Sequence, residues 1–256
     1  MMTPLQTLQS RHSVRAFREE ALSDTHVKKL KACITMINTH QQGLKFQLIT
    51  NDPDPLAGFS KSYGVFTNAR NYMAAVVDTA TPDVLERAGY YAEQVVIKSC
   101  ELGVGSCFVG GTYNESKVKA QLRAGEKVLF LVLLGYPAEK TKFMAKIMAK
   151  MVHLKRMDAE QFFEPSGDLT EAVGKFPFLT VGLEAVACAP SALNKRPTRI
   201  FLRHESAGDA LCARVDDSNP KNLIDLGIAK YNFNYATSTE CEWGNGAPLT
   251  GGYTLL

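Results

Sequence analysis

From Ser23 to Met36, Val27, Leu30, Cys33 and Ile34 recur at helical spacing behind a serine suited to cap a helix. Lys45 to Thr50 (KFQLIT) reads as a strand closed by the breaker run NDPDP, and Met73 to Val77 as a second strand. Thr81-Pro82-Asp83 opens a helical stretch, Tyr90 to Leu102 continues as a long, mostly apolar helix, and Gly103 and Gly105 stop it. Val128 to Gly135 is a third strand, ended by Tyr136-Pro137. In TKFMAKIMAKMVHLKR, Lys142, Lys146 and Lys150 form one stripe and Phe143, Ile147 and Met151 another. That pattern predicts an amphipathic surface helix joining two halves, with a helix lying on a membrane surface as the alternative. Leu169 to Ala187 is mainly helical with an irregular centre at Gly174 to Pro177. Arg199 to His204 and Leu211 to Asp216 are strands, Asn222 to Ser238 a helix, and Ala247 to Leu256 a short extended tail.

The second half repeats the element order of the first. Leu30 to Leu44 aligns with Leu183 to Pro197 without a gap, as a helix and then a polar turn. A strand follows in each, and Tyr90 to Phe108 matches Asp225 to Trp243 in length. Alternating helices and strands favour an α/β or α+β architecture. Two halves follow, residues 1–150 and 151–256.

Composition narrows the partners. A net charge of +3 over 256 residues is too small to argue for nucleic acid. No apolar run reaches the roughly 18 residues of a membrane span, and the start of the chain has no apolar signal core. Cysteines 33, 100, 107, 188, 212 and 241 form no CxxC pair and no zinc spacing, so the expectation is a cytoplasmic protein with unpaired thiols and no metal.

Three segments carry candidate chemistry. If Arg11-His12-Ser13-Val14-Arg15 is extended, residues 11, 13 and 15 point to one side and bring two guanidinium groups and a hydroxyl together, suited to a phosphate and a polarised carbonyl. Ala189 to Pro197 joins a helix to a strand, with Pro190 and Pro197 fixing its ends and Ser191 and Asn194 offering compact hydrogen-bonding groups. Gly103 to Gly111 follows the long helix, and the Gly110-Gly111 pair would let the backbone approach a flat ligand. It is no dinucleotide fingerprint, since its glycines come after the helix and not before it. Lys155-Arg156 reads alone as a charge pair on a solvated face. No GxSxG elbow and no histidine-based hydrolase motif is present.

In order, these segments resemble the nitroreductase family of flavin mononucleotide (FMN) proteins. RHSVRAF is similar to that family's Arg-Arg/His-Ser-x-Arg/Lys motif, and APSALNKRPTRIF to its Pro-Ser-x-x-Asn-x-Gln-Pro-Trp segment. GYYAEQVVIKSCELGVGSCFVGG resembles the central helix and the turn beneath the flavin, and LGYPAEK the strand-ending Gly-Tyr-Pro. Ordinary members carry the Pro-Ser segment within one helix of the first motif. Here it comes about 180 residues later, and Ile37 to Gly43 stands at the usual place without it. That order is similar to the single-chain, pseudo-dimeric group of TM nitroreductases. The implied fold is α+β and nitroreductase-like, with two halves mimicking the family homodimer around one FMN.

Carried over by motif, the resemblance implies that Arg11, with Lys155 and Arg156, holds the phosphate. Ser13, beside His12, bonds the phosphate or ribityl chain, and Arg15 lies near flavin N1 and O2. Backbone at Val109, Gly110 and Gly111 faces N5, and Pro190, Ser191 and Asn194 contact the ribityl or ring edge. Thr198 replaces the usual Trp and Arg196 the usual Gln, so substrate preference need not transfer. The implied activity is NAD(P)H-dependent ping-pong hydride transfer to nitro compounds or quinones, with Arg15 as electrostatic stabiliser of the reduced flavin. The alternatives are other FMN chemistry, such as dehalogenation or flavin cleavage, and a non-catalytic flavin carrier. The expected partner is a small-molecule acceptor, met by a monomeric pseudo-dimer without nucleic acid or membrane. Changing Asn38, in the counterpart of the Pro-Ser loop, is expected to do little to FMN binding.

Overall fold

A computed structural model describes residues 2–57, 66–138, 157–206 and 208–249. The helix expected over the lysine-rich segment, and with it Lys155 and Arg156, lies outside the described residues. The chain divides into two compact units, one of Arg11–Val84 and Val95–Lys155, the other of Met1–Ser10, Leu85–Gln94 and Arg156–Leu256.

The first unit is a helix on an antiparallel sheet. Helix α2 (Asp24–His40) begins at Ser23, whose hydroxyl accepts from the His26 amide, and buries Leu30, Ile34 and Ile37. Strands β1 (Leu44–Ile49), β2 (Tyr72–Asp78), β3 (Gly105–Val109) and β4 (Glu126–Gly135) pair in the order β1-β2-β4-β3, every neighbour antiparallel. The central strands β2 and β4 are covered on both faces, which is why their sequences run apolar without alternating. Tyr72, Leu131, Leu133, Phe17 and Val109 belong to the core of this unit.

Two expectations change here. Gly105 does not end the long helix. Gly103, at φ +70°, ends α3 (Val84–Glu101) in the left-handed conformation, and Gly105 begins β3. The basic start also contains a helix, α1 (Pro4–Ser10), too short and too weakly periodic to read from the residues alone.

The second unit holds α4 (Leu169–Lys175), α5 (Leu179–Ala187), β5 (Arg199–Arg203), β6 (Ala210–Arg214) and α6 (Asn222–Thr237). The break between α4 and α5 at Phe176 to Phe178 is the irregular centre that the sequence predicts. β5 and β6 pair antiparallel, and Phe162, Leu179, Leu183, Ile200, Leu211 and Phe233 fill the core. The order helix, strand, strand, helix thus occurs twice, as α2-β1-β2-α3 and α5-β5-β6-α6.

The start of α3 crosses α6 with backbone against backbone. A Cβ on Gly227 would fall 1.8 Å from the Glu86 carbonyl oxygen, and one on Gly89 2.1 Å from that of Ile224. Beside the crossing, Lys230 Nζ is 2.5 Å from Glu86 Oε1, with side chains 0% and 1% exposed. Lys230 also donates to the Glu242 and Gly244 carbonyls, and the Gly244 amide donates to Glu86 Oε2 at 2.9 Å. A buried ion pair so completely hydrogen-bonded fixes the register of the two helices, and removing one partner would strand a charge.

Candidate functional site

Residues 11–18 are extended, as the side-sharing of Arg11, Ser13 and Arg15 requires. Ser13 bridges Ser106 on the edge strand β3, and the Val14 amide donates to the Ser106 carbonyl at 2.8 Å. The Phe17 amide donates to Thr67 O, the Thr67 amide to Arg15 O, and the Arg18 amide to Tyr136 O. Backbone bonds therefore hold the segment at both margins and limit where its side chains can go.

The slot that receives it is made by glycine. Gly105 and Gly135 face each other across the β3–β4 ladder. A Cβ on Gly105 would lie 2.7 Å from Val14 Cγ2, and one on Gly135 2.7 Å from Phe17 Cδ1. The glycines of GVGS and LGYP thus work at the seat of the arginine segment. Val14, Ala16 and Phe17 are buried, Arg11, Ser13 and Arg15 are half-buried, and His12 is exposed.

Cys107 lies within reach of all three candidate side chains. Burial pushes its thiol up, while the charges of Arg15 and Arg11 and a hydrogen bond with Ser13 oppose the rise. The arginines thus create a positive field at the middle of β3. At the end of the strand Val109 is buried, Gly110 and Gly111 beyond it are exposed, and a Cβ on either glycine would meet no heavy atom of the described residues within 4 Å. Packing among the described residues does not demand this glycine pair. No described atom fills the space above it, which would suit a flat ligand, and the charges of Arg11 and Arg15 acting at β3 would suit an anionic one.

In the other unit, Pro190, Ser191 and Asn194 are half-buried in a loop of unusual backbone. Leu193, Asn194 and Arg196 have φ of +52°, +55° and +50°, a region that costs non-glycine residues about 1 kcal/mol or more each. The loop is laced to itself. Ser191 Oγ accepts from the Arg196 amide at 2.8 Å, and Arg196 Nε donates to Asn194 Oδ1 at 3.1 Å. Arg199 donates to the Arg196 and Thr198 carbonyls. Thr198, the departure from the family Trp, is buried.

Two residues near these segments were not read as site residues from the sequence. Cys107 lay inside a segment of interest without a chemical signal of its own. Asp225, in the first turn of its helix, had no signal of its own, yet it is 5% exposed and contacts the 190–197 loop. Burial pushes its carboxyl up to about 6, against the pull of the Ala192 amide and Lys195.

Asn38 has a structural task. Its amide donates to the Phe46 carbonyl and its oxygen accepts from the Phe46 amide, both at 2.8 Å, so it ties α2 to β1. Among the described residues, Glu171, His204 and Asp209 bring three candidate metal ligands together. Lys175 already places its ammonium between Glu171 and Asp209. No helix among the described residues is long and apolar enough to cross a membrane.

Comparisons agree with this architecture. The fold matches a nitroreductase structure from Thermotoga maritima at TM-score 0.58 and 21% identity, covering 92% of this chain and 83% of that one. A Desulfitobacterium hafniense nitroreductase with bound FMN aligns at 17% identity and TM-score 0.46, over 55% of this chain and 93% of its own. A nitroreductase family protein from Streptococcus pneumoniae aligns at 15% identity and TM-score 0.46, over 62% and 98%. No curated protein matches the sequence. The family model described as "Putative TM nitroreductase" matches residues 4–237. The α+β fold is therefore nitroreductase-like, and the chain belongs to the TM nitroreductase family.

Proposed function

We propose that the protein is a flavin oxidoreductase that binds one FMN per chain and uses NAD(P)H to reduce small acceptors of the nitro or quinone class. One observation carries the reading. The motif Arg11-x-Ser13-x-Arg15 is pinned by backbone bonds to Ser106 of β3 and to Thr67, and β3 leads into an exposed glycine pair. A structural arm would not need two cations and a hydroxyl held beside a strand that leads into a space no described side chain fills.

The residues fit the cofactor's chemistry. Arg11 supplies a charge for the phosphate and Ser13 a hydroxyl for the phosphate or ribityl chain. Arg15 presents a fixed positive charge, which favours a ring system that becomes anionic when reduced. Gly110 and Gly111 keep backbone close to a flat ring without side-chain obstruction. Ser191 and Asn194, on a loop that resists relaxation, contribute further hydrogen bonds, and Lys155 and Arg156 add charge for the phosphate. When bound, FMN supplies the reversible hydride chemistry. The chain itself holds the cofactor and biases its charge, so no acid–base pair or nucleophile is required of it.

Purified protein should be yellow, or become so on reconstitution with FMN, and should bleach anaerobically on addition of NADPH or NADH. Protein that takes up no flavin at micromolar FMN would refute the proposal. Flavin that binds but is never bleached by a nicotinamide would leave a carrier and refute the oxidoreductase part. Arg11→Ala and Ser191→Ala should each weaken FMN binding by about tenfold, the scale of one charge-assisted hydrogen bond. If Arg11→Ala alone weakens it, the Pro-Ser loop has no part in the site.

A further inference from the structure

The 190–197 loop is backed by one buried acid. Asp225 stands in the first turn of α6, and its Oδ1 and Oδ2 accept from the Ala192 amide at 3.1 and 3.2 Å. Phe162, Val186, Pro190, Ser191 and Thr198 line the same small cleft. Bonds from Ser191 and Asn194 to Arg196 close the loop on itself. The Asp225 bond instead ties the loop's first half to a helix, and that helix is held by the Gly227 crossing and the Lys230–Glu86 pair. With Leu193, Asn194 and Arg196 in left-handed backbone, the loop has reason to relax if that tether weakens.

We propose that Asp225 is a positioning residue for flavin binding: its carboxylate, by holding the Ala192 amide, fixes the placement of Ser191 and Asn194. This rests on the flavin reading given above. Among the described residues, few charged groups lie around the carboxyl. Lys195 of the loop acts on it, and Arg196 lines the same cleft. α5 and the turn Ala159–Phe162 present Val186 and Phe162. α3 packs on Ile224 through Gly89, with its Glu86 committed to Lys230. Burial pushes the carboxyl up to about 6, so the tether changes strength just below neutral pH. Above that value an anion accepts a charge-assisted bond, and below it a neutral acid accepts a weaker one.

The test compares the full-length protein with Asp225→Asn, an isostere of the protonated acid. FMN affinity is measured by fluorescence quenching. The variant should bind about tenfold more weakly at about pH 7.5 and within about twofold of the wild type at about pH 5. The flavin phosphate titrates in the same range, but it does so equally with both proteins, so the ratio of affinities isolates Asp225. A flavin-free measurement stands beside it. The Ala192 amide resonance should titrate with a midpoint near that of the Asp225 carboxyl in the wild type and stay flat in the variant. Equal flavin affinities at both pH values, or an Ala192 amide indifferent to pH in the wild type, would overturn the tether. A wild type that binds no flavin while its Ala192 amide still follows Asp225 would support the tether and remove the flavin reading, so the two failures are distinct.

Discussion

The chain makes the same kind of connection twice, from a helix to an edge strand, and builds the two very differently. After α2, the turn through Gly43 is tight and satisfied. Asn38 gives both ends of its amide to Phe46, and Gly43 adopts φ +68° with no room for a side chain, since a Cβ there would lie 2.0 Å from Thr81 Oγ1. After α5, the path through Pro190 to Pro197 is longer. It places three non-glycine residues in left-handed backbone and leaves Leu193 80% exposed. Where the first connection ties its asparagine to its own strand, the second ties Ser191 and Asn194 to Arg196 within the loop, with Ser191 also lining a small cleft. Local strain that nearby bonds sustain is a feature of functional segments more than of plain turns. The contrast teaches that one connection is built for stability, whereas the strain held in the other is what the proposed ligand contact would explain.

That comparison can be broken or sharpened by substitution. The largest effect is expected at Gly43. Gly43→Ala combines a left-handed φ with overlap on Thr81 and should cost about 3 kcal/mol in denaturant unfolding. A cost near zero would mean that the first turn is not tight.

Asp225→Asn should act in the opposite direction. Burial lifts the folded carboxyl from its ordinary 3.8 to about 6. Folding is therefore favoured while the group is protonated, and this contribution is complete below 3.8 and lost as pH rises through about 6. At pH 7.5 the ionised acid costs up to about 3 kcal/mol, and about 1–2 kcal/mol is the realistic gain for the asparagine variant. Urea titrations at two pH values would show the gain at pH 7.5 and its absence near pH 4. A variant less stable at pH 7.5 would mean that the carboxylate is a structural necessity. A gain in stability with a loss of flavin affinity would identify the loop as paid for by its function.

Asn38→Ala should cost about 2 kcal/mol by removing two partly buried hydrogen bonds, while FMN affinity stays within about twofold. Loss of flavin binding with stability intact would reverse the assignment of roles. The smallest effect is expected at Leu193. Leu193→Gly removes an exposed side chain and relieves a left-handed residue, so stability should rise by about 0.5–1 kcal/mol. A fall would show that Leu193 has packing value despite its exposure.

Much of the fold was legible in the sequence because helix and strand periods are written in side chains. Helix α2 with its Ser23 cap, strands β1, β2, β4, β5 and β6, helix α6 and the break before α5 all follow from apolar spacing and breaker residues. Strand β3 was not legible. GSCFV is short and follows a glycine that looks like a helix stop, and only pairing with β4 makes it a strand. Its Gly105 was misjudged for the same reason, since the residue that fills the missing side chain, Val14, lies far away in the chain. The structural role of Asn38 was not legible because its partner on β1 becomes adjacent only after the turn forms.

By itself the sequence determined the family, most of the order of elements and the three candidate segments, because motif, spacing and period are local properties of the chain. Tertiary structure alone decided that paired glycines 105 and 135 seat the arginine segment, and that Asp225 is a buried tether and not a surface acid. Burial and close approach depend on residues far apart in sequence. They set the cost of a charge or a left-handed turn, and no local pattern encodes that cost.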